Sequence, residues 1–205
     1  MSLDREGHLV DHSSPQRWRT VDIVVAAVVA VAFGVVFISW NALWSVTGPA
    51  FVAFPPAQAL LYGMWLLPGV LGGYLVRKPG AALFTELVAA FVSTIPGGPW
   101  NGVLIIVWGL FQGLLAELVF LAFRYRVWRW PVVVLAAAAA ALFPAVADNV
   151  FYYPTWALGW QVAYGGLVIV SAVVIGTLGA VGLVRALART GVLAPFAAGR
   201  EQTSV

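Results

Sequence analysis

The chain has 205 residues, of which 62% are hydrophobic and only 9% are Asp, Glu, Lys or Arg. A soluble domain carries about 25% charged residues, so this chain cannot dress a core with polar surface, and its solvent is lipid. The formal net charge of +3 does not signal nucleic acid, because the basic residues mark loop ends and form no basic face.

Cysteine is absent, which excludes disulfides, thiolate catalysis and Cys-based metal or haem attachment. The two histidines, His8 and His12, both lie in the polar N-terminal segment, so no intramembrane imidazole can hold a metal or relay a proton. No cofactor and no metal site is expected. Residues 1–19 contain Asp4, Glu6, Asp11, Ser13 and Ser14 and no apolar h-region, and are expected to be a disordered cytoplasmic tail instead of a secretory signal.

Six apolar stretches follow, each near the ~20 residues needed to cross a bilayer. They run over about 21–39, 57–76, 80–95, 102–123, 131–147 and 161–184. None shows the period-two alternation of a membrane barrel strand, which leaves helices as the way to satisfy the backbone in lipid. The predicted fold is therefore all-α, a multi-pass membrane domain of six helices over residues 20–185, with a second cytoplasmic tail over 186–205.

Arg17 and Arg19 precede the first stretch, and Arg77 and Lys78 separate the second from the third. Arg124, Arg126 and Arg129 separate the fourth from the fifth, and Arg185, Arg189 and Arg200 follow the sixth. The alternate connections, 40–56, 96–101 and 148–160, contain no Lys or Arg. Cytoplasmic loops retain positive charge, so both termini are expected inside a cell membrane.

The outer connections are rich in aromatics and amides. Trp40, Asn41 and Trp44 lead to Gln58 and Tyr62, and Asp148 is followed by Tyr152, Tyr153 and Trp156. Trp and Tyr form belts at membrane interfaces, but a belt does not account for the Asn, Asp and Gln among them. Aromatic faces with a few convergent polar groups are what a small planar ligand needs.

Carboxylates inside spans are costly, on the order of 2.5–3.5 kcal/mol at a helix centre, and are functional candidates. Asp22 sits at a helix start, where it can cap the helix or meet Arg19. Glu86 and Glu117 are expected at similar depth, on the side of the basic loops. In the fourth span Trp108 and Gln112 share a face, whereas Glu117 points about 140° away from Gln112 at 100° per residue. One carboxylate could touch a ligand and the other clamp two helices. Ala26, Ala30 and Gly34 form a line of small residues suited to internal packing or to docking a partner. No nucleotide-binding loop, Ser–His pair or HExxH motif is present, so the chain is not expected to be an enzyme, and any ATP use belongs to a partner.

The runs Val21-Asp22-Ile23-Val24-Val25-Ala26-Ala27, Pro55-Pro56-Ala57-Gln58 and Trp65-Leu66-Leu67-Pro68-Gly69 resemble the YkoE family. The likeness is densest in Arg77-Lys78-Pro79-Gly80-Ala81-Ala82-Leu83-Phe84-Thr85-Glu86 and returns at Gln112-Gly113 and Ala116-Glu117-Leu118-Val119-Phe120. Members of that family are substrate-binding S components of energy-coupling factor vitamin transporters. The resemblance implies capture of thiamine or its hydroxymethylpyrimidine precursor on the outer side. It also implies association with a transmembrane T component and two ATPase subunits, through an Ala-xxx-Ala face that Ala26 and Ala30, with Gly34, would supply. The binding residues expected are Trp40, Asn41, Trp44, Gln58, Tyr62, Glu86, Trp108, Gln112, Glu117, Asp148, Tyr152, Tyr153 and Trp156. A proton-coupled carrier using Glu86 and Glu117 is the alternative, although no broken-helix pair is evident in the sequence. A non-transporting scaffold, in which the carboxylates only clamp helices, is the other.

Overall fold

The computed structural model describes residues 2–3, 9–10, 17–191, 193, 196 and 198. Most of the two expected tails lies outside the described residues. The helices are α1 (Thr20–Thr47), α2 (Gly63–Val76), α3 (Ala81–Thr94), α4 (Gly102–Ala122), α5 (Trp130–Phe151), α6 (Leu158–Ser171) and α7 (Thr177–Arg189). Among the described residues, five segments are long and apolar enough to cross a membrane, with α3 a shorter sixth. At 14 residues α3 is ~21 Å long, against ~42 Å for the 28-residue α1.

Three helices run past their expected ends. Nothing in the sequence stops α1 until Gly48-Pro49, so Trp40, Asn41 and Trp44 are helical and not in a loop. Likewise α5 continues to Phe151, placing Asp148 in its last turn. The last span continues as helix to Arg189, inside the segment expected as a tail, and Leu193, Phe196 and Ala198 pack on the core beyond it.

Two spans are irregular in ways the apolar pattern does not reveal. The second begins as a 3-10 helix over Pro55–Leu61 and becomes α-helical only at Gly63. The sixth contains a π-turn, Ala172–Gly176, between α6 and α7. Ser171 joins the two irregularities: its Oγ accepts from the Gly63 amide at 2.9 Å and donates to the Leu60 carbonyl at 2.6 Å. A Cβ on Gly63 would collide with the Ser171 carbonyl, so only glycine permits this approach.

α2 is apolar all round and therefore belongs at the centre. It packs against α1, α3, α4, α5 and α7, with nearly every residue from Leu66 to Val76 buried. One core cluster gathers Leu67, Leu71, Leu75, Val133 and Val184; the other gathers Leu66, Phe120, Val132, Tyr164 and Val168.

The loops bearing Arg and Lys meet at one end. The Trp18 indole donates to the Pro79 carbonyl at 2.8 Å, and the Arg77 guanidinium lies over the Trp128 ring at 5.4 Å. There, too, Arg19 forms a fork with Asp22 across 2.8 Å. Asp22 is accordingly the first-turn partner of Arg19.

Ala26, Ala30 and Gly34, expected as a partner-docking face, are not exposed in the isolated chain. All three are buried and turned into the protein, in the seam that α1 makes with the rest of the fold. A Cβ on Gly34 would stand 2.5 Å from Val92 Cβ and 3.0 Å from the Ala89 carbonyl of α3. Gly34 thereby lets α1 approach α3 closely. The lipid-facing side of α1 is instead Ile23, Val24, Val28, Val31 and Val35.

Candidate functional site

Helical spacing assembles the site at the end opposite the basic loops. On α1, Phe37, Asn41 and Trp44 recur at i, i+4 and i+7, and on α3 Glu86, Ala90 and Ser93 do the same. α4 contributes Ile105, Trp108, Gly109 and Gln112, again on one face. Tyr62 and Trp65 enter from the break in the second span, Tyr164 from α6, Asp148 with Tyr152 and Tyr153 from the end of α5, and Trp100 from the loop before α4. They enclose a cavity of about 300 Å³, at the small end of the ~300–1,000 Å³ typical of small-molecule sites. Its size suits a ligand of one or two rings.

The walls are aromatic and mutually braced. Trp65 lies 5.0 Å from Trp44, 5.1 Å from Tyr62 and 5.8 Å from Trp100 between ring centroids, all tilted or edge-on. Such contacts hold rings at fixed angles and leave faces free. Trp108 packs edge-on against Phe143 and Phe151.

Two carboxylates stand among these rings. Asp148 accepts from the Trp108 indole through Oδ1 and from the Tyr164 hydroxyl through Oδ2, both at 2.7 Å. The Tyr62 hydroxyl, on the same wall, accepts from Gln112 Nε2 at 3.4 Å. Glu86 accepts from the Gly69 amide through Oε2 at 2.7 Å, which leaves Oε1 to the cavity. Asn41 Oδ1 accepts from the Trp65 indole at 2.9 Å, so its amide nitrogen remains a donor on the wall. No Lys or Arg lines the cavity. Burial, helped by the nearby Asp148 charge, pushes the Tyr153 phenol up to about 12, so in neutral solution it is a neutral donor.

Nine of the thirteen predicted binding residues line this cavity: Asn41, Trp44, Tyr62, Glu86, Trp108, Gln112, Asp148, Tyr152 and Tyr153. Four lie elsewhere, each held by a contact of its own. The Trp40 indole donates to the Leu61 carbonyl at 2.9 Å, and Gln58 Nε2 donates to the Trp44 carbonyl at 2.7 Å. Trp156 stacks on Tyr153 at 4.1 Å and 20°, behind the wall. Glu117 is the largest departure. Its carboxylate takes the backbone amides of Gly80 at 2.7 Å and Ala82 at 2.9 Å, and the Tyr125 hydroxyl at 2.7 Å. It caps the first turn of α3, where unpaired amides and the helix dipole favour a negative group. Glu117 therefore lies near the start of α3 and not level with Glu86, about a turn and a half further along.

Phe37, Trp65, Ala90, Ser93, Trp100, Ile105, Gly109 and Tyr164 also line the cavity and were not predicted as binding residues. A signal existed for several. Phe37 is one turn before Asn41, Trp65 is three residues past Tyr62, and Trp100 sits in an outer loop without charge.

A family described as an ABC-type cobalt transport system permease component matches residues 21–143. The "Putative HMP/thiamine permease protein YkoE" of Bacillus subtilis (strain 168) is 34% identical over 189 residues, covering 90% of this chain and 92% of that protein. A solved structure described as the crystal structure of an S-component of ECF transporter superposes with a TM-score of 0.84 at 32% identity, over 91% of this chain and 94% of the other. Sequence and fold thus agree over nine-tenths of the chain, which belongs to the YkoE family of S components and is a membrane transport subunit, not an enzyme.

Proposed function

We propose that the cavity captures thiamine or its hydroxymethylpyrimidine precursor from outside the cell, for uptake driven by a separate T component and two ATPase subunits. The observation that carries this reading is the pair of carboxylates, Glu86 and Asp148, in an aromatic cavity with no basic residue. An aminopyrimidine is flat and carries an exocyclic amine beside a ring nitrogen, so it can stack on an indole while donating to a carboxylate. The thiazolium of thiamine is a cation, and cations gain ~0.5–2 kcal/mol over Trp or Tyr faces. The permease name of the Bacillus relative points to the same ligand class.

Cobalt, named in the family description, fits the donors less well. No cluster of three or more His, Cys, Asp or Glu side chains occurs among the described residues, and transition metals prefer such sets. The two-carboxylate proton carrier is weakened by Glu117, which is committed to the α3 amides and to Tyr125. The scaffold reading leaves the cavity itself without a purpose.

Quenching of tryptophan fluorescence in the purified protein tests the proposal directly, since Trp44, Trp65, Trp100 and Trp108 all line the cavity. Thiamine or hydroxymethylpyrimidine is expected to quench at submicromolar concentration, with no response to riboflavin. A flat titration with both pyrimidines would reject the assignment.

A further inference from the structure

We infer that the groove between α4 and α5, on the arginine-bearing half of the molecule, binds an anionic phospholipid. The groove runs beside Leu115, Val119 and Phe123 of α4 and Leu135, Ala139 and Leu142 of α5, with a volume of about 470 Å³. Every side chain lining it is apolar. The neighbouring Ala138 and Ala139, set between Leu135 and Leu142, keep its floor free of any polar group. Such a slot accepts a hydrocarbon chain and repels water.

The charge at its end selects the kind of lipid. Phe123 lines the groove, and the chain then turns through Arg124, Tyr125 and Arg126, with Arg129 just before α5. The three arginines are exposed, and none makes an ion pair among the described residues. The turn that carries them is fixed. Arg124 and Tyr125 both adopt φ of 55°, closed by Arg124 N to Leu121 O at 2.7 Å and Tyr125 N to Phe120 O at 3.0 Å. The Tyr125 hydroxyl is in turn tied to Glu117. Trp130, 67% exposed at the start of α5, has the amphipathic ring that settles at headgroup level. An apolar slot ending in several cations and an indole is the complement of an acyl chain below an anionic phosphodiester. The site is separate from the vitamin cavity, and the inference does not rest on the ligand proposed there.

The purified protein in mild detergent is offered phosphatidylglycerol and phosphatidylcholine with matched chains, and retained lipid is counted by native mass spectrometry. Roughly tenfold preference for phosphatidylglycerol is expected. The double variant Arg124→Gln, Arg126→Gln removes the preference, and Ala139→Phe lowers retention of both lipids. Glycerol 3-phosphate does not displace the lipid, which distinguishes this site from one for free phosphate. Equal retention of the two lipids, an unchanged preference in the double variant, or displacement by glycerol 3-phosphate overturns the inference. So does an Ala139→Phe protein that keeps its lipid but no longer co-purifies with a membrane partner, since the groove would then seat a helix. Should Ala139→Phe not fold, the double variant decides, because its changes are at exposed positions.

Discussion

At the scale of single residues, the two span carboxylates that look alike in the sequence have different surroundings. Glu86 faces the cavity with one oxygen free, whereas Glu117 spends both oxygens on backbone amides and a tyrosine. Glu86→Gln is therefore expected to weaken thiamine binding roughly thirtyfold, from the ~2 kcal/mol of a hydrogen bond to a charged group. Glu117→Ala leaves the Gly80 and Ala82 amides without their acceptor, and about 3 kcal/mol of stability is expected to go with it. Thermal unfolding and fluorescence titration of the two variants separate these roles. A Glu117→Ala protein of normal stability with lost affinity would reverse the assignment. The helical angle of Glu117 away from Gln112 was legible in the sequence. Its target was not, because the α3 start it caps is remote in the chain and becomes a neighbour only on packing.

At the scale of elements, apolar runs identified every crossing segment, and the distribution of Arg and Lys identified which connections share an end. The ends of α1 and α5 were less visible, since a hydropathy window closes where polar aromatics begin while the backbone continues as helix. The difference has a consequence for the cavity, because Asn41, Trp44 and Asp148 owe their alignment to being helical. The line Ala26, Ala30 and Gly34 is ambiguous in the sequence for a physical reason: small residues suit internal and external contacts equally. Gly34→Leu is expected to push α1 off α3 and cost ~1–3 kcal/mol or more, measurable as a lowered melting temperature. The joint at Ser171 had no sequence signature. Ser171→Ala strands the Gly63 amide and the Leu60 carbonyl and is expected to destabilise by roughly 2 kcal/mol. If the joint positions Tyr62 and Trp65, this change also reduces ligand affinity; an unaltered titration would show that it serves stability alone.

At the scale of the whole molecule, the basic loops gather at one end and the cavity lies towards the other, which sets the expected orientation. The chain has no cysteine, so single introduced thiols report sidedness cleanly. Gly98→Cys is expected to react with an impermeant maleimide in intact cells, and Arg126→Cys only after lysis. The opposite pattern would put the termini outside and the cavity on the wrong face for capture. The absence of Lys and Arg from the cavity leaves a phosphorylated ligand with no counter-charge. Thiamine is accordingly expected to bind more tightly than its diphosphate, and equal affinities in an equilibrium assay would contradict this.

The disparity between α1 and α3 acts on the surrounding bilayer as well. These two helices pack side by side, yet one is about twice the length of the other. Lipids bordering Phe91 and Ile95, the exposed residues at the far end of α3, meet a shorter apolar wall than those bordering α1. The bilayer must thin there or the body must tilt, and each ångström of such mismatch costs only fractions of a kcal/mol. The fatty-acid length of the host membrane is thus a variable expected to act on this unequal pair of helices.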